Sequence, residues 1–136
     1  MVRPLTTVPA NAPRVGWREG VESRLHGAGA SSLCVLEQWS APGAGAPTHH
    51  HADVEELVLI VAGSAEFWID GAVELLDEGM SIVVPAESAH GFRNVGSTEL
   101  HTIATFPSAH ATVEYECEPG RVLEIADRHR RAGDAP

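Results

Sequence analysis

Histidines and acids are concentrated in one short segment, which reads GAGAPTHHHADVEE from residue 43 to residue 56. Side chains alternate between the two faces of a β-strand, so on a strand His49 and His51 point to one side and His50 to the other. Two imidazoles on one face can share a metal ion, and a carboxylate that follows a turn can supply a third ligand. Taken alone, a His-x-His pair is more typical of a solvated turn.

A second segment, GMSIVVPAESAHGFRN, runs from residue 79 to residue 94 and contributes one more histidine, His90. By itself this residue is more typical of a hydrogen-bonded histidine in a core or at the edge of a strand. Its interest comes from its spacing relative to the first segment.

Together the two segments resemble the paired motifs of the cupin superfamily. The first motif consists of Gly, five residues, His-x-His, three or four residues, Glu, six residues and Gly; this spacing is met by Gly43, His49, His51, Glu56 and Gly63. The second consists of Gly, five residues, Pro-x-Gly, two residues, His, three residues and Asn; its positions are met by Gly79, Pro85, His90 and Asn94. One position departs, because Glu87 stands where the motif has its glycine. The fifteen residues between Gly63 and Gly79 match the spacer of small single-domain cupins.

The resemblance implies an all-β chain folded as a double-stranded β-helix, that is, a jelly-roll antiparallel barrel with one metal ion inside. By matching positions, it implies four metal ligands, His49, His51, Glu56 and His90. Glu55 competes with Glu56 for the carboxylate position, since the following run Leu57–Val61 is apolar on both faces. The spacing to Gly63 favours Glu56.

The donor atoms of this ligand set indicate which metal ions it suits and how many coordination positions it leaves open. Three neutral imidazoles and one carboxylate leave a divalent ion with a net charge of about +1, and on a six-coordinate ion they leave two positions open. Such a set suits one divalent transition metal ion, namely Fe, Mn, Ni, Co or Zn. An incomplete protein shell is typical of a catalytic site rather than a structural one.

The rest of the chain predicts the elements that must position these residues. Short apolar runs separated by Gly, Pro, Asn and Asp are typical of an all-β sandwich or barrel. The candidate strands span residues 21–26, 32–39, 57–62, 65–70, 73–76, 81–84, 91–94, 100–106 and 112–116. Asp70-Gly71 between two apolar runs predicts a two-residue hairpin turn. Near the C-terminus, Val122, Ile125, Ala126 and His129 recur at helical spacing.

Three segments follow from this pattern. Residues 1–16, with three prolines and no periodicity, are predicted to be an extended N-terminal arm. Residues 17–118 form the predicted barrel, and residues 119–136 a C-terminal tail with room for a short helix.

The composition of the chain argues against two classes of binding partner. The chain has 136 residues and a net charge of −10, which argues against nucleic acid and against an anionic membrane surface as partners. With no secretory leader evident and two well-separated cysteines predicted to be free thiols, we expect a cytoplasmic protein. We also expect a homodimer, because a small barrel of short strands exposes apolar faces that a second copy can cover.

Several other residues are candidates for the site. His101 and Glu37 are candidates for acid–base groups behind the metal, although Glu37 is equally compatible with an outward-facing charge. The candidates for the substrate pocket are Arg24, Phe92, Val58 and Ile60. Arg24 would anchor a substrate carboxylate, although a solvated or ion-paired role is more typical of such an arginine, and the apolar residues would line the barrel.

The function predicted from these residues is that of a metal-dependent enzyme acting on a small oxygen-containing organic molecule held in the barrel. The ligand set resembles that of oxygenase-type cupins, but the same ligands serve lyases, cyclases, isomerases and storage proteins. The alternative is a non-catalytic cupin that binds a metal and a small ligand.

Overall fold

The computed structural model describes residues 6–134, and its strands form two antiparallel sheets packed face to face. The strands are β1 (Val15–Arg18), β2 (Val21–His26), β3 (Cys34–Ser40), β4 (Gly45–His50), β5 (Glu56–Ala62), β6 (Ser64–Ile69), β7 (Ala72–Asp77), β8 (Ser81–Val84), β9 (His90–Asn94), β10 (Leu100–Phe106), β11 (Thr112–Tyr115) and β12 (Val122–Glu124). One helix, α1 (Ile125–Asp134), follows the last strand.

The two sheets have the orders β1-β2-β3-β10-β5-β8 and β12-β11-β4-β9-β6-β7. Non-consecutive neighbours such as β3 and β10, or β4 and β11, mean that the chain crosses repeatedly from one sheet to the other. This is the predicted jelly-roll arrangement. It brings β4, β5 and β9, which hold or adjoin the predicted ligands, around one interior.

The interior is built by alternation along the strands. On β10, Leu100, Thr102, Ala104 and Phe106 are buried, and the residues between them are less so. The same alternation on β5 buries Glu56, Val58 and Ile60 and leaves Leu57 and Leu59 outside. Period-two burial of this kind places one face of each strand in the core.

The hairpin predicted at Asp70-Gly71 is present between β6 and β7. Both residues have positive φ, 48° at Asp70 and 88° at Gly71, as a type I′ turn requires. The short C-terminal helix is also confirmed: α1 buries Ile125, Ala126 and His129. Val122 lies in β12 rather than in the helix.

The strand β1 begins at Val15, within the segment 1–16 that was predicted as an extended arm. In its sequence, Val-Gly-Trp-Arg, the apolar residues Val15 and Trp17 alternate with Gly16 and Arg18, but the run is only four residues long and its interior glycine weakens a strand. Residues 1–5 of the arm and 135–136 of the tail lie outside the described residues. The limits of the three predicted segments therefore stay a prediction.

The outer face of the first sheet is partly apolar. Leu57, Leu59 and Val83, on the neighbouring strands β5 and β8, are each more than one-third exposed. A second copy of the chain would cover such a face, and the homodimer stays a prediction. No helix in the described part of the chain has the length and apolar character needed to cross a bilayer.

Gly45 permits the close approach of β4 and β9 near the site. A Cβ atom at this position would lie 2.1 Å from the carbonyl oxygen of Phe92 and 2.9 Å from the Cα atom of Arg93. Because both atoms belong to the backbone, relief requires the strands to separate. We expect Gly45→Ala to lower the free energy of unfolding by about 3 kcal/mol, measured by urea denaturation.

Gly16→Ala is the matched control. A Cβ atom at Gly16 would meet no heavy atom within 4 Å, so a change below about 0.5 kcal/mol is expected. Equal stability of the two variants would contradict the close approach of β4 and β9.

Candidate metal centre

The fold brings the four predicted ligands to one place inside the barrel. His49 lies on β4 directly opposite His90 on β9, in the antiparallel register of the two strands. His51 follows β4, and Glu56 is the first residue of β5. One donor atom from each of the four residues lies within 4.8 Å of the other three, and all four side chains are buried.

His50 and Glu55, the neighbours of the predicted ligands in the sequence, do not face the interior of the barrel. His50 faces the other side of β4, where its Nε2 atom lies 3.8 Å from Oε1 of Glu114. Glu55 is exposed, whereas Glu56 is 7% exposed. Strand alternation through β4 and the start of β5 therefore separates the residues that reach the interior from those that do not.

Backbone carbonyls orient the three imidazoles. The Nδ1 atom of His49 lies 2.7 Å from the oxygen of Pro47, that of His51 lies 2.8 Å from Thr112, and that of His90 lies 2.9 Å from Ser88. A carbonyl oxygen only accepts, so each Nδ1 carries the proton and donates. In a neutral imidazole the lone pair is then on Nε2, which is the arrangement typical of metal-binding histidines.

The donor set fits a cation. Oε1 of Glu56 lies 3.0 Å from Nε2 of His90 and 3.3 Å from Nε2 of His51. The Nε2 atom of His51 is buried and makes no hydrogen bond. With the protons on Nδ1, two nitrogen lone pairs would face one carboxylate oxygen, which is repulsive unless a positive charge lies between them. A divalent ion supplies that charge and satisfies the donors together.

Burial and neighbouring side chains shift the pKa values of two of these residues, His49 and Glu56. Burial lowers the pKa of His49 to about 3, and electrostatic interaction with the neighbouring imidazoles of His90 and His51 acts in the same direction. Burial by itself would raise the pKa of Glu56, but the adjacent imidazoles of His51 and His90 outweigh it and hold that pKa below its usual range. A neutral imidazole and an ionised carboxylate are the forms in which these residues bind metal.

A cavity adjoins three of the four side chains. It has a volume of about 40 Å³, enough for roughly three water molecules. His49, His51 and Glu56 line it together with Phe92, and its remaining wall is mostly apolar. A group bound to the metal would therefore sit in a small space with little water around it.

Comparison with known proteins identifies the family. The family model described as "Cupin domain" matches residues 39–106, which span both motifs and half of the chain. The chain belongs to the cupin family. The sheets and the buried cluster of this cupin agree with the fold that its motifs implied.

Two curated relatives match parts of the cupin chain. Mannose-1-phosphate guanylyltransferase of Escherichia coli (strain K12) is 32% identical over 90 residues, which cover 66% of this chain and 18% of that protein. Protein SchB of Streptomyces halstedii is 32% identical over 76 residues, covering 56% of this chain and 55% of that protein. The chain thus spans little more than half of SchB and less than a fifth of the guanylyltransferase.

Solved structures share the fold. An RmlC-like cupin from Shewanella frigidimarina superimposes with a TM-score of 0.67 at 21% identity, covering 78% of this chain and 93% of that one. The formate complex of oxalate decarboxylase from Lactobacillus farciminis gives a TM-score of 0.68 at 17% identity, covering 74% and 32% of the two chains. At these identities the likeness establishes the jelly roll alone.

The predicted pocket residues fall in three different places. Phe92, two residues after His90 on β9, lines the cavity. Val58 and Ile60 face inward on β5 but belong to the packed core, outside the cavity wall. The structure places Arg24 on the outer face of the first sheet, where its Nη1 atom lies 3.4 Å from Oε1 of Glu37 and its guanidinium stacks on Trp39.

His101 and Glu37 also lie on this outer face. The Nε2 atom of His101 donates to Oε2 of Glu37 at 2.6 Å, and that of His26 donates to Oε1 at 2.8 Å. Burial alone would raise the pKa of Glu37, but these two hydrogen bonds outweigh it and lower the pKa. The sheet separates this cluster from the cavity, because Leu36 and Gln38, the neighbours of Glu37, are the β3 residues that line the cavity.

Glu87 stands where the motif has glycine, but the backbone makes the left-handed turn that a glycine would favour. Glu87 has φ of 69°, in the left-handed region that favours glycine. Its backbone N–H donates to the oxygen of His51 at 3.0 Å, and its carboxylate accepts from the N–H of Asp53 at 3.0 Å. These bonds tie the turn before His90 to the segment that follows His51.

Three residues of the cavity region were not predicted from the sequence. Arg18, on β1, and Tyr115, on β11, line the cavity, and Arg128 on α1 reaches the hydroxyl of Tyr115. They are far apart in the chain and belong to neither motif. Only the pairing of β11 with β4, which sets Tyr115 opposite His49, brings Tyr115 to the site.

Proposed function

We propose that this cupin is a metal-dependent enzyme acting on a small oxygen-containing organic molecule bound inside the barrel. The observation that carries the proposal is the buried cluster of three imidazoles and one carboxylate beside a cavity. His49, His51, Glu56 and His90 would hold one divalent transition metal ion, one of Fe, Mn, Ni, Co and Zn. The reaction would be of the oxygenase, lyase, cyclase or isomerase type.

The residues of this chain have separate tasks in that function. A divalent ion in this donor set acts as a Lewis acid toward an oxygen group of the substrate. The Nδ1–H bonds of the three histidines to Pro47, Thr112 and Ser88 hold the imidazole rings in place. The apolar wall, which includes Phe92 and Phe106, excludes water and lowers the local dielectric constant. Stronger electrostatic interaction with the bound oxygen group follows.

One observation favours the non-catalytic alternative, a cupin that binds a metal and a small ligand. Among the described residues that line the cavity, Arg18 and Tyr115 are the only ionisable side chains other than the predicted ligands. Neither is a typical general base at neutral pH. A proton-transfer step would then depend on Glu56 or on a group of the substrate.

The test of the proposal is whether the metal keeps an exchangeable position. We expect the visible spectrum of the Co(II)-loaded protein to change when glycolate, a small α-hydroxy acid, is added. Four protein ligands leave room on the ion for a chelating molecule, which would replace water. The absence of a spectral change with glycolate and with other small α-hydroxy and α-keto acids would indicate a closed, structural site.

Enzyme and binder are then separated by turnover. The metal-loaded protein is incubated with each acid that changes the spectrum, with and without dioxygen, and the products are followed by NMR. Product formation that is lost in His90→Ala supports the enzyme. Binding without turnover of any of these acids supports the alternative.

We also propose a reducing compartment, the cytoplasm, as the location. Cys34 is buried and Cys117 exposed, and both are free thiols. Free thiols persist in such compartments.

A further inference from the structure

Two guanidinium groups converge at the wall of the cavity. Nη2 of Arg18 donates to the hydroxyl oxygen of Tyr115, and Nη1 of Arg128 donates to the same oxygen at 3.3 Å. Arg128 also donates through Nη2 to the carbonyl oxygen of Trp17 at 3.3 Å and stacks on the Trp17 ring. Tyr115 is 5.4 Å from His49, measured between ring centroids, so this cluster is next to the predicted metal ligands.

Neither guanidinium has an acidic partner in the described part of the chain. This is unusual in a protein with nineteen acidic residues and nine basic ones. The arginines that do form ion pairs with carboxylates are Arg14, Arg24, Arg93, Arg121 and Arg131. Arg18 and Arg128, both half-buried, therefore have no carboxylate partner among the described residues.

Arg18 also has an unused donor. Its Nε atom is buried and makes no hydrogen bond, and its side chain lines the cavity that His49, His51 and Glu56 share. Burial lowers the pKa of its guanidinium, although an arginine keeps its charge at neutral pH. A buried charge without a counter-ion is costly, and a bound anion removes that cost.

We propose that Arg18, held in place by Tyr115 and Arg128, binds the carboxylate of the substrate, and that the substrate is a small carboxylic acid whose second oxygen group reaches the metal. The inference rests on the proposed function for the metal and adds the class of substrate. A guanidinium matches a carboxylate in shape and charge. The small volume of the cavity, about 40 Å³, favours a small acid.

The role of Arg18 is tested by calorimetric titration with glycolate and with glycolamide, its uncharged analogue of nearly equal size. We expect the wild-type protein to bind glycolate at least tenfold more tightly than glycolamide. In Arg18→Gln, which keeps hydrogen-bond donors but loses the charge, we expect that preference to fall at least tenfold. Arg121→Gln removes the same charge from an exposed ion pair with Glu118 and should leave the preference unchanged.

Two further measurements distinguish a failure of this inference from a failure of the proposed function. Elemental analysis of Arg18→Gln should show the wild-type metal content, which excludes loss of the fold as the cause. His90→Ala, without its metal, should bind both ligands more weakly and still prefer glycolate. An unchanged preference in Arg18→Gln, or no preference in the wild-type protein, overturns the inference even where the metal is present. A wild-type protein without metal overturns the proposed function, while the comparison with Arg18→Gln still tests the anion site.

Discussion

Replacing His90 with alanine is expected to remove most of the bound metal, whereas replacing His50 leaves the metal content unchanged. His90 is fully buried among the other donors, and its Nε2 atom lies 3.0 Å from Oε1 of Glu56. Loss of partners that only support a ligand already weakens metal affinity by about 10- to 100-fold. Loss of the ligand itself should weaken it by more than about 100-fold. The same result is expected for alanine at His49, His51 or Glu56.

His50→Ala is the matched control for this result, because it removes an imidazole from the same strand on the opposite face. Elemental analysis of each variant, purified without a histidine tag, gives the metal content per chain. Comparable metal loss in His50→Ala and His90→Ala would contradict the separation of the two faces of β4 and the assignment of the ligands.

Metal loading is expected to raise the melting temperature of the wild-type protein by about 10 °C or more. In the metal-free protein, the Glu56 carboxylate is buried against Nε2 of His51 and of His90, and a bound ion replaces this arrangement with four direct bonds. A ligand present at 1,000 times its dissociation constant stabilises the folded state by about 4 kcal/mol. For a domain of this size, each kcal/mol corresponds to a shift of roughly 3 °C.

The shift is measured by calorimetry after treatment with a chelator and again after addition of Zn(II) or Co(II). His50→Ala should show the wild-type shift. Glu56→Gln, which keeps the shape of the side chain but not its charge, should show less than half of it. A melting temperature that does not respond to metal in the wild-type protein would mean that the cluster binds no ion tightly.

The four residues that motif spacing selected as ligands lie in one cluster in the structure, and this has a physical reason. A jelly roll fixes which residues of neighbouring strands face each other, so a ligand must recur at a set distance along the chain. This is why the six residues from Glu56 to Gly63 favoured Glu56 over Glu55, which the structure leaves exposed. Strand alternation likewise separated His50 from His49 and His51.

Alternation does not say which face of a strand is the inner one. Glu37 shares a face with Val35 and Trp39, two apolar residues, so the sequence left its direction open. In the structure that face is the outer one, because Cys34, Leu36 and Gln38 fill the interior. His101 and Arg24 contact Glu37 directly and lie on the same outer face.

The cluster of Arg18, Tyr115 and Arg128 could not be predicted from the sequence for a different reason. Its members come from β1, β11 and α1, and the Arg18 and Arg128 contacts join residues 97 and 111 positions apart along the chain. No local pattern records such contacts. The first contact joins β1 to β11 and the second joins α1 to β1, so both arise only once the chain has folded.

The central claim is that one divalent ion is held by His49, His51, Glu56 and His90 and remains open to a ligand. Anomalous diffraction from crystals of tag-free, metal-loaded protein, recorded at the absorption edge of the metal, tests it most directly. We expect one peak per chain, about 2.0–2.2 Å from the Nε2 atoms of the three histidines and from a carboxylate oxygen of Glu56, with at least one further position held by water. A peak elsewhere in the chain, coordination through Nδ1, or a shell completed by other side chains would contradict it.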